Sequence, residues 1–96
     1  MIPDLSPAEL ERLALLMEEM GEAAQAIGKI IRHGYESRHP DGGPTNRETL
    51  EKELGDVSAS LSMMIEAGDL RVAAIARHND RKRENVQQYL HHQDPA

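Results

Sequence analysis

The stretch from residue 7 to residue 33 constrains the fold of this 96-residue chain more than any other segment. Apolar residues recur there at intervals of three and four, which is the spacing of one helix face. Ser6 and Glu9 form a capping-box pattern around Pro7. Because Gly34 is a natural stop, we expect one uninterrupted helix about 40 Å long. Its apolar face comprises Leu10, Leu13, Ala14, Met17, Met20, Ala24, Ile27 and Ile31.

The opposite side of this helix is apolar as well. It carries Leu15, Leu16, Ala23, Ala26 and Ile30, and two acidic residues, Glu19 and Glu22, lie in the middle of it. A helix that is apolar on two faces is buried on two sides. A rod of this length also exceeds the diameter of a compact chain of this size. The helix therefore needs partners on both sides, and Gly21 and Gly28 on the first face would admit a closely packed one.

A second helix follows a loop. Residues 34–44 form this loop by composition, and Thr45 with Glu48 repeats the capping-box pattern. The helix has apolar positions at Leu50, Leu54, Val57, Leu61, Met64 and Ile65, and Gly68 closes it.

A third helix completes the chain. Asp69 can cap it, and its apolar stripe continues through Val86, Tyr89 and Leu90. We predict a single all-α domain over residues 1–96, with an arm at 1–5 and a tail at 92–96. Its fold is a bundle of three main helices, with a four-helix-type core completed by dimerisation.

Composition supports packed helices and excludes several classes of site. Hydrophobic residues make up 39% of the chain and aromatic residues 2%, so the core must consist of Leu, Ile, Met, Val and Ala. Such a core suits helices better than a small β-sandwich. The absence of cysteine excludes disulfides, thiolate zinc sites and thiol catalysis. No signal-peptide pattern or bilayer-spanning apolar run is visible, so we expect a soluble, cytoplasmic protein with no membrane partner.

The charge balance limits the partners. The chain has 11 Lys and Arg residues against 17 Asp and Glu residues, a formal net charge of −6. A passive binder of DNA or RNA normally presents a basic face, so we expect no nucleic-acid polymer as a partner. A ligand that carries phosphates would need a metal ion between its phosphates and the carboxylates of this chain.

Four acidic residues are spaced to face one another across two helices. Glu19 and Glu22 are three residues apart and project from one face of the first helix. Glu53 and Asp56 repeat this spacing on the second helix. If the helices pack antiparallel, the four carboxylates converge, which is tolerable only with bound cations. Ligation by oxygen alone favours Mg²⁺ or Mn²⁺ over Zn²⁺.

A non-catalytic interpretation of the same residues stays open. Glutamates at three-residue spacing are common on solvated helix faces, and the chain would then be a helical interaction or oligomerisation module. Glu18 lies at the edge of the acidic face, where it is either solvated or placed beside the metal ligands.

These motifs resemble a known family. Residues 18–22, Glu-Glu-Met-Gly-Glu, and residues 53–56, Glu-Leu-Gly-Asp, resemble the EExxE…ExxD signature of the MazG-type all-α nucleoside triphosphate pyrophosphohydrolases. Arg81, Lys82, Asn85 and Tyr89 resemble the downstream Lys…Asn…Tyr pattern of that family. The resemblance is to its small phage and bacterial members and covers residues 10–92.

The resemblance implies an activity and the residues that perform it. It implies that Glu19, Glu22, Glu53 and Asp56 bind Mg²⁺ at the catalytic centre. It also implies that Arg81, Lys82 and Asn85 contact substrate phosphates. The implied reaction converts a nucleoside or deoxynucleoside triphosphate and water into the monophosphate and pyrophosphate, as in housecleaning of the nucleotide pool. A related bundle enzyme that acts on dUTP or on phosphoribosyl-ATP is the alternative within this class.

The first helix also predicts the oligomeric state. Two other helices, one of them polar over its second half, cannot cover both of its apolar faces, and an uncovered face would be a larger apolar patch than monomers usually expose. We therefore expect a homodimer or a homotetramer.

Overall fold

The structure, a computed structural model, describes residues 4–93 and contains three α-helices. Helix α1 spans Pro7–His33, α2 spans Asn46–Glu66 and α3 spans Val72–Asn85, and a short 3₁₀ turn covers Val86–Tyr89. Within residues 4–93 the only β-structure is an isolated antiparallel bridge between Arg38 and Thr45. The prediction of three helices without strands is therefore confirmed for this part of the chain.

Residues 1–3 of the predicted arm and residues 94–96 of the predicted tail lie outside the described residues. Among the helices of residues 4–93, none combines the length and the apolar character that crossing a bilayer requires.

Both predicted capping boxes are formed. The Ser6 hydroxyl accepts a hydrogen bond from the Glu9 backbone N–H at 3.1 Å, and the Glu9 carboxylate accepts one from the Ser6 backbone N–H at 2.8 Å. Thr45 and Glu48 make the same reciprocal pair at 2.8 and 3.1 Å. These hydrogen bonds lower the pKa of Glu48. Because they satisfy N–H groups that a helix start leaves without partners, they fix where α1 and α2 begin.

Helices α1 and α2 pack against each other in antiparallel orientation and form the main contact of the chain. The face of α1 that meets α2 is the one that carries the two glutamates. Ala23 and Ala26 of α1 are 6% and 5% exposed, and Ser60 and Met64 of α2 are each 3% exposed. Small side chains on α1 allow α2 to approach closely, so this face forms the core despite its acidic residues.

The opposite apolar face of α1 is exposed. We call it the outer face, and its residues include Leu10, Leu13, Met17, Met20, Ile27 and Ile31. Met17 is 73% exposed and Ile31 is 80% exposed. Apart from its two chain neighbours and the adjacent backbone of α1, no described residue has a heavy atom within 4 Å of the point that a Cβ atom on Gly21 would occupy. Within a single chain, α1 is therefore buried on one side and not on the two sides that the sequence predicts.

Helix α3 hardly contacts α1 or α2. No residue of α3 is buried, and the structure describes the whole helix. The radius of gyration of the Cα atoms is 16.9 Å, against about 13 Å expected for a compact chain of this length. The stripe predicted through Tyr89 does not form a continuous α-helical face, because the α-helix ends at Asn85 and Tyr89 is 72% exposed. One copy of the chain is thus not a closed bundle.

The prediction that Asp69 caps α3 is wrong. The N-cap residue is Arg71, whose side chain makes no capping hydrogen bond. Asp69 instead forms a two-point ion pair with Arg12, whose Nε lies 2.6 Å from Oδ2 and whose Nη2 lies 3.0 Å from Oδ1. The side chains of Arg12 and Asp69 are 22% and 13% exposed. The pair ties the start of α1 to the connection between α2 and α3.

We expect Asp69→Asn to lower the melting temperature by a few degrees at pH 7, because Arg12 loses its ionic partner in a shielded position. Hydrogen bonds from Arg12 lower the pKa of Asp69 in the folded state. The stabilisation is therefore complete above the unfolded pKa of about 3.9 and is lost as the pH falls through the lower folded pKa. Thermal unfolding should distinguish the two proteins at pH 7 and show convergence at about pH 2.

Asp80→Asn is the matched control, because Asp80 is an exposed aspartate on α3. It should melt as the wild type does at both pH values. A wild-type melting temperature for Asp69→Asn at pH 7 would contradict a stabilising role of the ion pair.

Candidate metal centre

Four carboxylates meet between α1 and α2. Glu19 and Glu22 extend from α1, and Glu53 and Asp56 extend from α2. Each residue offers one carboxylate oxygen, and these four oxygens all lie within 4.8 Å of one another. The antiparallel packing places the middle of α1 opposite the first half of α2, so the two pairs at three-residue spacing face each other. The structure thus brings together the four acidic residues that the sequence pairs at three-residue spacing.

Part of this carboxylate cluster is shielded from solvent. The Glu53 side chain is 13% exposed, whereas that of Asp56 is 40% exposed. One oxygen of Glu19 and one of Glu53, both Oε2, are buried and have no hydrogen-bond partner in residues 4–93. A buried carboxylate oxygen without a partner carries a desolvation cost that nothing offsets. A bound cation or a hydrogen-bond donor between the helices would satisfy both atoms.

The electrostatics of Glu19 reflect this crowding. Loss of solvation is the main cause that raises the pKa of Glu19, and the negative charges of Glu22, Asp56, Glu18 and Glu53 raise it further. Both causes disfavour the ionised form of Glu19. A bound cation would reverse the effect, because it favours the ionised carboxylate.

Lys52 is the one cation in direct contact with the cluster among residues 4–93, and sequence reasoning missed it. Its Nζ donates a hydrogen bond to Asp56 Oδ2 at 2.8 Å and lies 3.7 Å from Glu53 Oε1. These carboxylates raise the pKa of Lys52, with the Asp56 hydrogen bond as the largest cause. The spacing of four residues between Lys52 and Asp56 could have indicated the contact. A single ammonium cannot neutralise four carboxylates, so a net negative charge remains.

The donor set fits a hard divalent cation. All four groups are carboxylates, and neither histidine nor cysteine belongs to the cluster. Oxygen donors of this kind suit Mg²⁺ and Mn²⁺ rather than Zn²⁺. The two buried oxygens without partners provide independent support, because a cation at this position would satisfy them.

A cleft opens beside the cluster. Its volume is about 300 Å³, and it is lined by Glu22, Gln25, Ala26, Lys29, Thr49 and Glu53. Two of the four carboxylates therefore border a space that a ligand can enter, which is the arrangement that a site for a metal and its substrate requires.

The other residues singled out from the sequence lie elsewhere. Glu18 is exposed and is not among the four, although its charge contributes to the raised pKa of Glu19. Arg81, Lys82 and Asn85 are exposed on α3, and none of them lines the cleft beside the cluster. Contact between α3 and substrate phosphates stays a prediction.

Comparison with known protein families gives a match. The family model described as "MazG nucleotide pyrophosphohydrolase domain" matches residues 8–90 of the chain. No curated protein and no solved structure matches the chain. The matched residues include all of α2 and α3 and almost all of α1, and they contain the complete carboxylate cluster.

We expect Mg²⁺ to raise the melting temperature of the wild-type protein by several degrees, because it binds only the folded cluster. Glu19→Gln should raise the melting temperature of the metal-free protein, since it removes one of four repelling charges. The same change should remove most of the Mg²⁺-linked rise, which thermal unfolding across a Mg²⁺ titration measures.

Glu11→Gln is the matched control, because Glu11 is exposed on the same helix and lies outside the cluster. It should retain the full Mg²⁺-linked rise. Absence of any rise in the wild type would mean that the cluster is not a metal centre.

Proposed function

Because the chain belongs to the MazG nucleotide pyrophosphohydrolase family, we propose that it hydrolyses a nucleoside or deoxynucleoside triphosphate to the monophosphate and pyrophosphate. We propose that the reaction depends on Mg²⁺, with Mn²⁺ as a substitute, and that it cleanses the cytoplasmic nucleotide pool. One observation carries the proposal beyond the family assignment. It is the convergence of four carboxylates, with two buried oxygens that lack partners, beside an open cleft.

Glu19, Glu22, Glu53 and Asp56 would hold the metal. When bound, a divalent cation neutralises phosphate oxygens and lowers the pKa of water. This neutralisation matters here because a chain with a net charge of −6 repels a free triphosphate. Glu22 and Glu53 line the cleft, so in the proposed site they border the substrate. The chemical balance is simple: one water is consumed, and the bond between the α- and β-phosphates is broken.

Lys52 is an internal counter-ion in the metal-free protein. Its ammonium bonds one oxygen of Asp56, Oδ2, and leaves Oδ1 available to ligate a metal. The Lys52 side chain is 68% exposed and flexible, so it can turn into solvent at little cost. In our proposal Lys52 therefore screens the cluster until a divalent cation replaces it.

We further propose that a second copy covers the outer face of α1, which gives a homodimer or a homotetramer. The exposure of Met17 and Ile31 and the open space at Gly21 support this arrangement. The radius of gyration of 16.9 Å supports it too, because it exceeds the value of about 13 Å for a compact chain of this length. A helix from the partner would complete the four-helix-type core.

The position of α3 is consistent with such an assembly. Arg81, Lys82 and Asn85 are exposed on a helix that hardly contacts its own α1 and α2. We propose that these residues contact substrate phosphates at the site of another copy. Arg and Lys side chains there would make charge-assisted hydrogen bonds to phosphate oxygens.

We expect Glu53→Gln to reduce the rate of pyrophosphate release by about two orders of magnitude or more, because a metal ligand is replaced by a neutral amide. The measurement is pyrophosphate release from a panel of nucleotides with and without Mg²⁺. Glu51→Gln is the matched control: Glu51 is exposed on α2 and outside the cluster, so its activity should equal that of the wild type.

The same panel separates the alternatives. Release of pyrophosphate from dUTP alone, or from phosphoribosyl-ATP alone, would identify the chain as one of the related bundle enzymes. A chain that hydrolyses no nucleotide and shows no Mg²⁺-linked rise in melting temperature would be a helical interaction module. Near-normal turnover of Glu53→Gln would refute the metal assignment.

We expect Met17→Glu to dissociate the oligomer, because it places a charge at the centre of the outer face. Light scattering at micromolar concentration should report a mass near 10.7 kDa for this variant and a multiple of it for the wild type. Met17→Leu keeps the apolar surface and should assemble as the wild type does. A wild-type monomer that hydrolyses nucleotides would contradict the assembly and leave the site assignment intact.

A further inference from the structure

A second pocket lies at the C-terminal end of α1, and it shares Lys29 with the cleft beside the carboxylate cluster. Its volume is about 380 Å³, and its lining includes Lys29, His33, Ser37, Arg38, His39 and Asn46. We propose that this basic pocket binds a phosphate group of the nucleotide whose other phosphates face the metal centre. The inference rests on the proposed function, because it assigns a second anion subsite for the same substrate.

Lys29 connects the basic pocket to the cleft beside the cluster, since it lines both. It follows Glu22 by 7 residues on α1, which is two helical turns. The rise between Glu22 and Lys29 is about 10 Å along the helix axis. A chain of phosphates held beside Glu22 can therefore extend along one helix toward Lys29.

The charge of the basic pocket is opposite to that of the whole chain. Four of its lining residues are Lys, Arg or His, and none is Asp or Glu, although the net charge is −6. Two of these groups already have partners: His39 lies 3.5 Å from the Asp41 carboxylate, and Arg38 donates to a backbone carbonyl. Lys29 and His33 have neither a salt-bridge nor a side-chain hydrogen-bond partner in residues 4–93. They are therefore free to bind an anion.

The loop that forms one wall of the basic pocket is held by hydrogen bonds. The Asn46 backbone N–H donates to Ser37 O at 2.8 Å, and the Arg47 N–H donates to Tyr35 O at 2.9 Å. The Asn46 side-chain amide donates to Gly34 O at 3.1 Å. These bonds occupy the first N–H groups of α2, so side chains rather than a helix terminus must bind the anion. A preorganised loop also lowers the entropy cost of binding.

The first test is a titration of the full chain with inorganic pyrophosphate in Mg²⁺-free buffer, followed by ¹H–¹⁵N NMR. We expect the amide shifts to concentrate on Lys29 and on residues 33–46. Lys29→Met should weaken pyrophosphate binding about tenfold, because it removes a charge-assisted hydrogen bond. Arg32→Met removes the same charge from the same helix outside the pocket, and it should change the affinity less than about twofold.

The second test asks whether the bound phosphate belongs to the substrate. Lys29→Met should raise KM for the nucleotide about tenfold and leave the Mg²⁺-linked rise in melting temperature unchanged. Loss of pyrophosphate binding with an unchanged KM would mean that the pocket takes free phosphates only, and it would overturn the proposal. A lower melting temperature with unchanged pyrophosphate affinity would also overturn it, because Lys29 would then only complement the α1 dipole.

The two proposals fail in different ways. The pyrophosphate titration needs neither metal nor turnover. A wild type that binds pyrophosphate in this pocket and hydrolyses no nucleotide would refute the hydrolase and support the anion site.

Discussion

The mutual repulsion of four carboxylates held between α1 and α2 is the constraint on which the rest of the structure depends. These two helices make the main contact of the chain, so the acidic cluster lies in the same interface that builds the core. Small side chains at Ala23 and Ala26 let the helices approach, and that approach brings the carboxylates within 4.8 Å of one another. Packing therefore opposes electrostatics, and a bound cation would reconcile them.

Features set by local spacing could be predicted from the sequence. Both capping boxes depend on residues three positions apart, and the acidic pairs depend on the helical repeat, so each could be recognised within a few residues. The convergence of the pairs needed only one assumption, that these two consecutive helices pack antiparallel.

Features set by distant contacts could not be predicted in this way. Arg12 and Asp69 are 57 residues apart, and Asp69 stands where a helix cap is expected, so the local pattern favoured the wrong partner. Lys52 was missed for a different reason. A lysine four residues before an aspartate usually indicates a solvated surface pair, and only the packed structure shows that this pair belongs to the acidic cluster.

The two faces of α1 show how fold and assembly are joined. The purely apolar outer face is exposed, and the face interrupted by glutamates is buried, although hydrophobicity alone would favour the reverse. This choice of buried face follows if the carboxylates need the neighbouring helix α2 to form a site. The outer face needs only another apolar surface to cover it. In the proposed assembly a cation binds one side of α1 and a second chain binds the other. The cation and the second chain would each stabilise folded α1, which the other needs in order to bind. Metal binding and oligomer formation would therefore strengthen each other by thermodynamic linkage.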